Sequence, residues 1–260
     1  MSAEDRRRPG ILVTRPRGQG AGLVRVIEET GATPLEFPVI DFEALRDTGP
    51  AVTALAGLEA GDWVIPVSPT AMRFLNKLVA DSGLDLGGVR FAAVGEGTAA
   101  AIREAGYEPA ARPVTGDGAQ ALLDSGSLDD LGGRQALICR GLGGRRVLDE
   151  GLAAAGAEVT AIELYRRIPA RTDPRRLSQW LAANAVDVIT LSSAAAAEFL
   201  RDMVSAEDFA RLATLPVVAP SSRVLKLAAS QGLHGPAHVA ANAGDEAMAE
   251  AALRAWRTRS

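Results

Sequence analysis

The sequence predicts an α/β protein built from two similar parallel-sheet halves, and three observations carry that expectation. Short apolar runs alternate with helical patterns along the chain. Most runs end at a glycine, serine or threonine that opens the next helix. The order of motifs in the first half returns in the second.

The first strand is predicted over Ile11–Val13, running into Thr14-Arg15-Pro16. Its counterpart, Ala136–Cys139 followed by Arg140 and Gly141, lies about 125 residues further on, a spacing that marks an internal repeat. Without a gap, Gly18 then falls on Gly143, Leu23 on Leu148 and Gly31-Ala32 on Gly156-Ala157. Helices are expected over 20–30 and 145–155.

The next strands, Trp63–Val67 and Val186–Leu191, end at Ser68 and at Ser192-Ser193, with helices over 70–81 and 194–203. Phe91–Val94 and Pro216–Ala219 follow, ending at Gly95-Glu96-Gly97-Thr98 and at Pro220-Ser221-Ser222, with helices over 98–105 and 222–230. Short strands near 108–112 and 237–241 and a helix over 245–256 complete the pattern. Leu35–Phe42 and Val159–Arg166 are long and β-rich; with a proline and charged residues they suit edges or connectors. Residues 168–176, with Pro169, Pro174 and three arginines, read as a solvated loop.

Composition narrows the function. At 260 residues, 47% hydrophobic and 23% charged, the chain has the make-up of a globular protein of two domains. The net charge of −4 gives no long-range attraction to nucleic acid, and no apolar run reaches the roughly 20 residues of a membrane span. Met1–Pro9, with Arg6, Arg7 and Arg8, reads as a frayed tail rather than a secretion signal or a nucleic-acid arm. The lone Cys139 excludes an intrachain disulfide, fits a reducing, cytoplasmic compartment, and in its apolar run reads as a small buried hydrophobe. Two histidines, His234 and His238, and one cysteine argue against a metal site and against a Ser-His-Asp triad.

Ligands of open α/β sheets bind beyond the carboxyl ends of the strands. Thr14, Arg15, Ser68, Gly95, Thr98, Arg140, Gly141, Ser192, Ser193, Pro220, Ser221 and Ser222 all fall there. Helix capping alone explains each hydroxyl taken singly. Six such ends in two copies point to a cradle for anionic oxygens, held by free backbone N–H groups at helix N-termini, in a cleft between the halves. The phosphate-loop pattern is absent: Gly141-Leu142-Gly143-Gly144 lacks its lysine, and Glu96 puts a carboxylate where a pyrophosphate would sit.

In their order and spacing these motifs resemble the uroporphyrinogen-III synthase family. The resemblance is carried by Ile11–Pro16 with Gln19, Pro38-Val39-Ile40, Asp62–Ile65 with Ser68, and Ala93-Val94-Gly95 with Thr98-Ala99. It continues through Leu137–Gly141, Val159–Arg167, Asp187–Ile189 with Ser192-Ser193, and Pro220–Ser222. It covers roughly residues 10–255 and implies two flavodoxin-like parallel-sheet domains. The first would be discontinuous (1–37 and 168–260) and the second would span 38–167. Leu35–Phe42 and Val159–Arg166 would form a two-stranded connector thin enough for the lobes to close on a ligand.

The implied reaction is cofactor-free cyclisation of hydroxymethylbilane, with loss of water and inversion of ring D, by a monomer. Transient contact with hydroxymethylbilane synthase is an expected partner interaction; membrane and nucleic acid are not. Tyr165 matches the family's candidate donor to the leaving hydroxyl, with anchoring of the connector as its other reading. Two departures, Pro66 and Ala219, stand out. The added methyl of Ala219 is expected to crowd the ligand, which leaves a non-catalytic two-lobed binder of an anionic ligand as the alternative.

Overall fold

The computed structural model describes residues 8–128 and 131–258, so most of the arginine-bearing tail lies outside the described residues. In chain order, β1 (Gly10–Val13), α1 (Ala21–Glu29), β2 (Thr33–Glu36) and β3 (Ile40–Ala44) come first. Then follow α2 (Gly49–Ala56), β4 (Trp63–Pro66), α3 (Pro69–Ser82), β5 (Arg90–Ala92), α4 (Glu96–Glu104) and β6 (Pro109–Ala111). Next are α5 (Ala119–Asp124), β7 (Gln135–Gly141), α6 (Val147–Ala154), β8 (Glu158–Pro169) and α7 (Pro174–Ala182). The chain closes with β9 (Val188–Thr190), α8 (Ala194–Met203), α9 (Ala206–Leu212), β10 (Val217–Ala219), α10 (Ser222–Ser230), β11 (Ala237–Val239) and α11 (Asp245–Arg257).

The chain divides into two compact units. One combines the residues up to Asp41 with those from Ile168 on; the other is Phe42–Arg167. The crossing falls a few residues after the expected 37/38 because Phe37 and Val39 are fully buried and the Phe37 N–H donates to the Val13 carbonyl at 2.9 Å. The segment expected as one connector strand is therefore split. Leu35 and Glu36 complete β2, paired with Leu12 and Val13 of β1, and only from Ile40 does a strand lie beside β8. Pro38, with no N–H to give, falls in the gap.

In the first unit the strand order is β11-β10-β9-β1-β2, and its strand pairs are parallel. That is the 2-1-3-4-5 order of a flavodoxin-like sheet. Ile11, Val13, Val188 and Val218 face a core closed by Leu23 and Ile27 of α1 and Met248, Ala249 and Ala252 of α11. The second unit has the order β3-β8-β7-β4-β5-β6. Here the alternation of a strand buried on both faces is plain. Val64, Leu137 and Cys139 point to α3 and α4, whereas Trp63, Ile65, Ala136 and Ile138 point to α5 and α6. Each large aliphatic side chain so buried stabilises by about 1.5–3 kcal/mol.

The repeat is folded crosswise. β1 and β2 belong to the first copy in sequence, yet they share a sheet with β9, β10 and β11 of the second. In the other unit β4, β5 and β6 of the first copy flank β7 and β8 of the second.

The stretch 168–176, expected as a loop, is only partly one. Ile168 and Pro169 end β8, and α7 begins at Pro174 behind an Asp173 N-cap that accepts from the Arg175 N–H at 3.0 Å. A capping aspartate before a first-turn proline is a helix start that the arginine-rich composition masked.

Pro66 ends β4, an interior strand. The Val67 N–H donates to the Cys139 carbonyl of β7, so the neighbouring residue, Pro66, faces β5. Pairing with β5 stops at Val64–Phe91, and the missing N–H costs the sheet no bond.

Candidate functional site

In a sheet of this topology the crevice opens where neighbouring connections run to opposite sides. In the first unit that point lies between β1 and β9, in the second between β7 and β4. The candidate residues at these points divide into those that hold the scaffold and those that remain open.

Thr14 is scaffold. It is fully buried, and its hydroxyl donates to the Thr190 carbonyl at 2.6 Å, while the Thr190 hydroxyl donates to the Leu12 carbonyl at 2.9 Å. This reciprocal pair fastens β1 to β9. Thr14→Val keeps the shape and removes one buried hydrogen bond, so it is expected to lower stability by about 1 kcal/mol. A shift in the urea unfolding midpoint at constant slope checks this.

Arg15 is also engaged, donating to the Ala243 carbonyl at 2.9 Å and pairing with Asp245 at 2.5 Å. Ser192 and Ser193 are half-buried, and Ser193 is the N-cap of α8 without a side-chain cap bond. Ser221 caps α10 by accepting from the Val224 N–H at 3.4 Å, with Pro220 before it and Ser222 as the first helical residue. Ala219 is fully buried as the last residue of β10. Its methyl is buried in the core.

In the second unit Ser68 is the N-cap of α3, accepting from the Ala71 N–H at 3.0 Å. Its oxygen lies 3.4 Å from the Tyr165 hydroxyl, and either can donate. Tyr165 is only 4% exposed; its ring stacks on Phe74 with centroids 4.9 Å apart and meets Phe42 edge-on at 5.4 Å. Such pairs contribute about 0.5–1.5 kcal/mol each and fix where the hydroxyl stands. Gly141, beside Tyr165 in the β7–β8 pairing, has to be glycine: a Cβ there would lie 2.7 Å from the tyrosine ring.

Gly95 is the N-cap of α4, and Thr98 lies in that helix's first turn, 3% exposed. Neighbouring Glu96 pairs with Arg103 at 3.0 Å and with Arg112 at 2.5 Å. The Arg103 hydrogen bond, helped by the charge of Arg112, holds its carboxyl below the usual range. It therefore stays ionised and is unsuited to donating a proton.

Arg140 donates to both carboxylate oxygens of Asp149, at 3.1 and 2.9 Å, and to the Arg145 carbonyl at 3.2 Å. Its side chain is 11% exposed and that of Asp149 14%. Cys139 is fully buried, and burial pushes its thiol well above the usual range, so the small-hydrophobe reading holds and the thiol is no nucleophile.

Phe42, Phe74 and Asp149 escaped sequence reasoning. Each acts by seating a candidate residue, and no motif marks a residue whose role is to touch another far along the chain.

Two parallel-sheet units, each with hydroxyls and helix starts at the carboxyl ends of its strands, define an α/β protein of two compact units. A family model described as uroporphyrinogen-III synthase HemD matches residues 21–250. The chain is 35% identical over 158 residues to a Salmonella typhimurium uroporphyrinogen-III synthase, covering 60% of this chain and 64% of that one. The matched stretch thus spans just under two thirds of that relative. An Escherichia coli uroporphyrinogen-III synthase is 29% identical over 184 residues, 70% of this chain and 75% of the relative.

Among solved structures, a mutant uroporphyrinogen III synthase from the extremely thermophilic bacterium Thermus thermophilus superposes with a TM-score of 0.59. It is 24% identical, with 96% of this chain and all of that one (100%) covered. The Helicobacter pylori uroporphyrinogen-III synthetase gives 0.60 at 14% identity, covering 95% and 99%. These two establish the fold. On the family match, the chain belongs to the uroporphyrinogen-III synthase family.

Proposed function

We propose that this protein is a uroporphyrinogen-III synthase: a cofactor-free lyase that closes hydroxymethylbilane to uroporphyrinogen III with release of one water. The observation that carries this, beside family membership, is the Tyr165 hydroxyl. It stands 3.4 Å from Ser68 at the switch point of the second unit, on a ring clamped by Phe42 and Phe74.

The chemistry asks chiefly for positioning. The hydroxymethyl C–O bond breaks as its oxygen takes a proton and leaves as water, the electron-rich pyrrole supplying the electron pair, and an azafulvene results. The substituted carbon of ring D attacks it to form a spiro centre. Cleavage and re-closure invert that ring, and a proton lost from the pyrrole balances the one taken up. Tyr165 is suited to donate at the leaving oxygen, with Ser68 orienting its hydroxyl. The helix starts at Ser68 and Gly95 of the same unit are suited to offer backbone N–H groups to the substrate's acetate and propionate oxygens. Pre-organised geometry of this kind can supply several kcal/mol of a barrier.

The partners in this reading are the small-molecule substrate and, transiently, the synthase that delivers it. A cytoplasmic place of action agrees with a lone, buried thiol. Among the described residues no helix is long and apolar enough to cross a membrane.

A coupled assay tests the reading. Hydroxymethylbilane is generated by its own synthase, this protein is added, and the oxidised uroporphyrin isomers are separated. Isomer III in excess of the spontaneous isomer I is expected. Isomer I alone from folded protein would shift the assignment to a non-catalytic binder.

A further inference from the structure

Among the described residues, the large apolar side chains most open to water are Val114, Leu142, Val147, Leu227 and Val239. Leu142 and Val147 follow β7, the strand at the switch point of the second unit, and Val114 lies in the loop after β6 of the same sheet. Apolar exposure in this unit is thus concentrated at the edge where its candidate residues lie.

Leu142 stands out because its exposure is held rigidly. It is 51% exposed although its own N–H donates to the Tyr165 carbonyl at 2.7 Å. The next N–H, of Gly143, donates to a Glu163 carboxylate oxygen at 3.0 Å, and that of Gly144 to the Gly141 carbonyl at 3.0 Å. The glycines around it are dictated by this geometry: Gly143 has φ +70°, and a Cβ on Gly144 would lie 2.8 Å from the Arg140 side chain. Leucine is the one side chain the turn presents, and its backbone is tied to the residue that carries the candidate hydroxyl. An apolar side chain pinned in water at a ligand edge gains when an apolar ligand face covers it.

We propose that Leu142 is a substrate-contact residue: it forms an apolar platform on which one pyrrole face of the linear tetrapyrrole rests, setting that ring against the Tyr165 hydroxyl. This rests on the synthase reading above. Pyrroles offer flat apolar faces while their carboxylates go to helix starts, so one platform among polar groups fits that chemistry.

The test compares wild type with Leu142→Ser and Leu142→Met in the coupled assay, reading KM, kcat and the ratio of isomer III to isomer I, with melting temperatures alongside. Leu142→Ser is expected to raise KM by about fivefold or more with little change in kcat, as loss of uniform binding does. It should also lower the isomer ratio and leave the melting temperature unchanged. Leu142→Met, still apolar, should stay near wild type. If wild type makes isomer III and Leu142→Ser matches it in KM and isomer ratio, the platform is overturned while the synthase reading stands. Equal losses in the serine and methionine variants, or a lowered melting temperature that accounts for the loss, would overturn it too. Wild type making isomer I alone would remove both.

Discussion

Asp149→Ala is expected to destabilise the protein by about 3 kcal/mol or more, because it leaves the Arg140 guanidinium buried without its partner. The two side chains are 11% and 14% exposed and joined by two hydrogen bonds from one Arg140 nitrogen, so little solvent is present to screen or replace the pair. The loss should appear in urea unfolding as a lower midpoint at constant slope. Replacing both partners, Arg140→Met with Asp149→Leu, should recover most of it, since the penalty lies in the orphaned charge rather than in the pair itself. A single-variant loss under about 1 kcal/mol, the scale of exposed pairs, would show that water reaches Arg140 and that the pair is a surface interaction.

Tyr165→Phe carries the largest expected effect on turnover. It removes one oxygen and leaves the stack on Phe74 and the edge contact with Phe42 in place, so the melting temperature should barely move. If the hydroxyl protonates the leaving group, kcat for isomer III should fall by about tenfold or more, toward the hundredfold scale of general-acid catalysis. Gly141→Ala offers a geometric counterpart. Its methyl would press on the Tyr165 ring from 2.7 Å, moving the hydroxyl without deleting it. An unchanged kcat in Tyr165→Phe would reduce the tyrosine to an anchor of β8.

Much of this was legible in the residues. The alternation of Ile11–Val13, Trp63–Val67 and Ala136–Cys139 with helical stretches predicted the strands of two parallel sheets, and the caps at Ser68 and Ser221 are where the serines stand in the sequence. Strand and cap signals are local, set by burial period and by the backbone groups that a helix start leaves free. The fate of individual site residues was not legible. Thr14 and Ser68 look alike in sequence, each a hydroxyl just past a strand. One is sealed against the Thr190 carbonyl and the other caps α3 beside Tyr165, 97 residues away. Which way a side chain points past a strand end depends on the neighbouring strand, and that neighbour comes from elsewhere in the chain.

By itself, then, the sequence determined the two-fold repeat, the α/β class and the family to which the chain belongs. Tertiary structure decided how the copies combine. Each sheet draws strands from both, because β1 pairs with β9 and β4 with β7. The repeat specifies which units are alike but not which units pair, and pairing is set by the burial that each sheet gains from the assembled chain. The same closure brought Phe42 and Phe74 to Tyr165 and Asp149 to Arg140, contacts that no local pattern encodes.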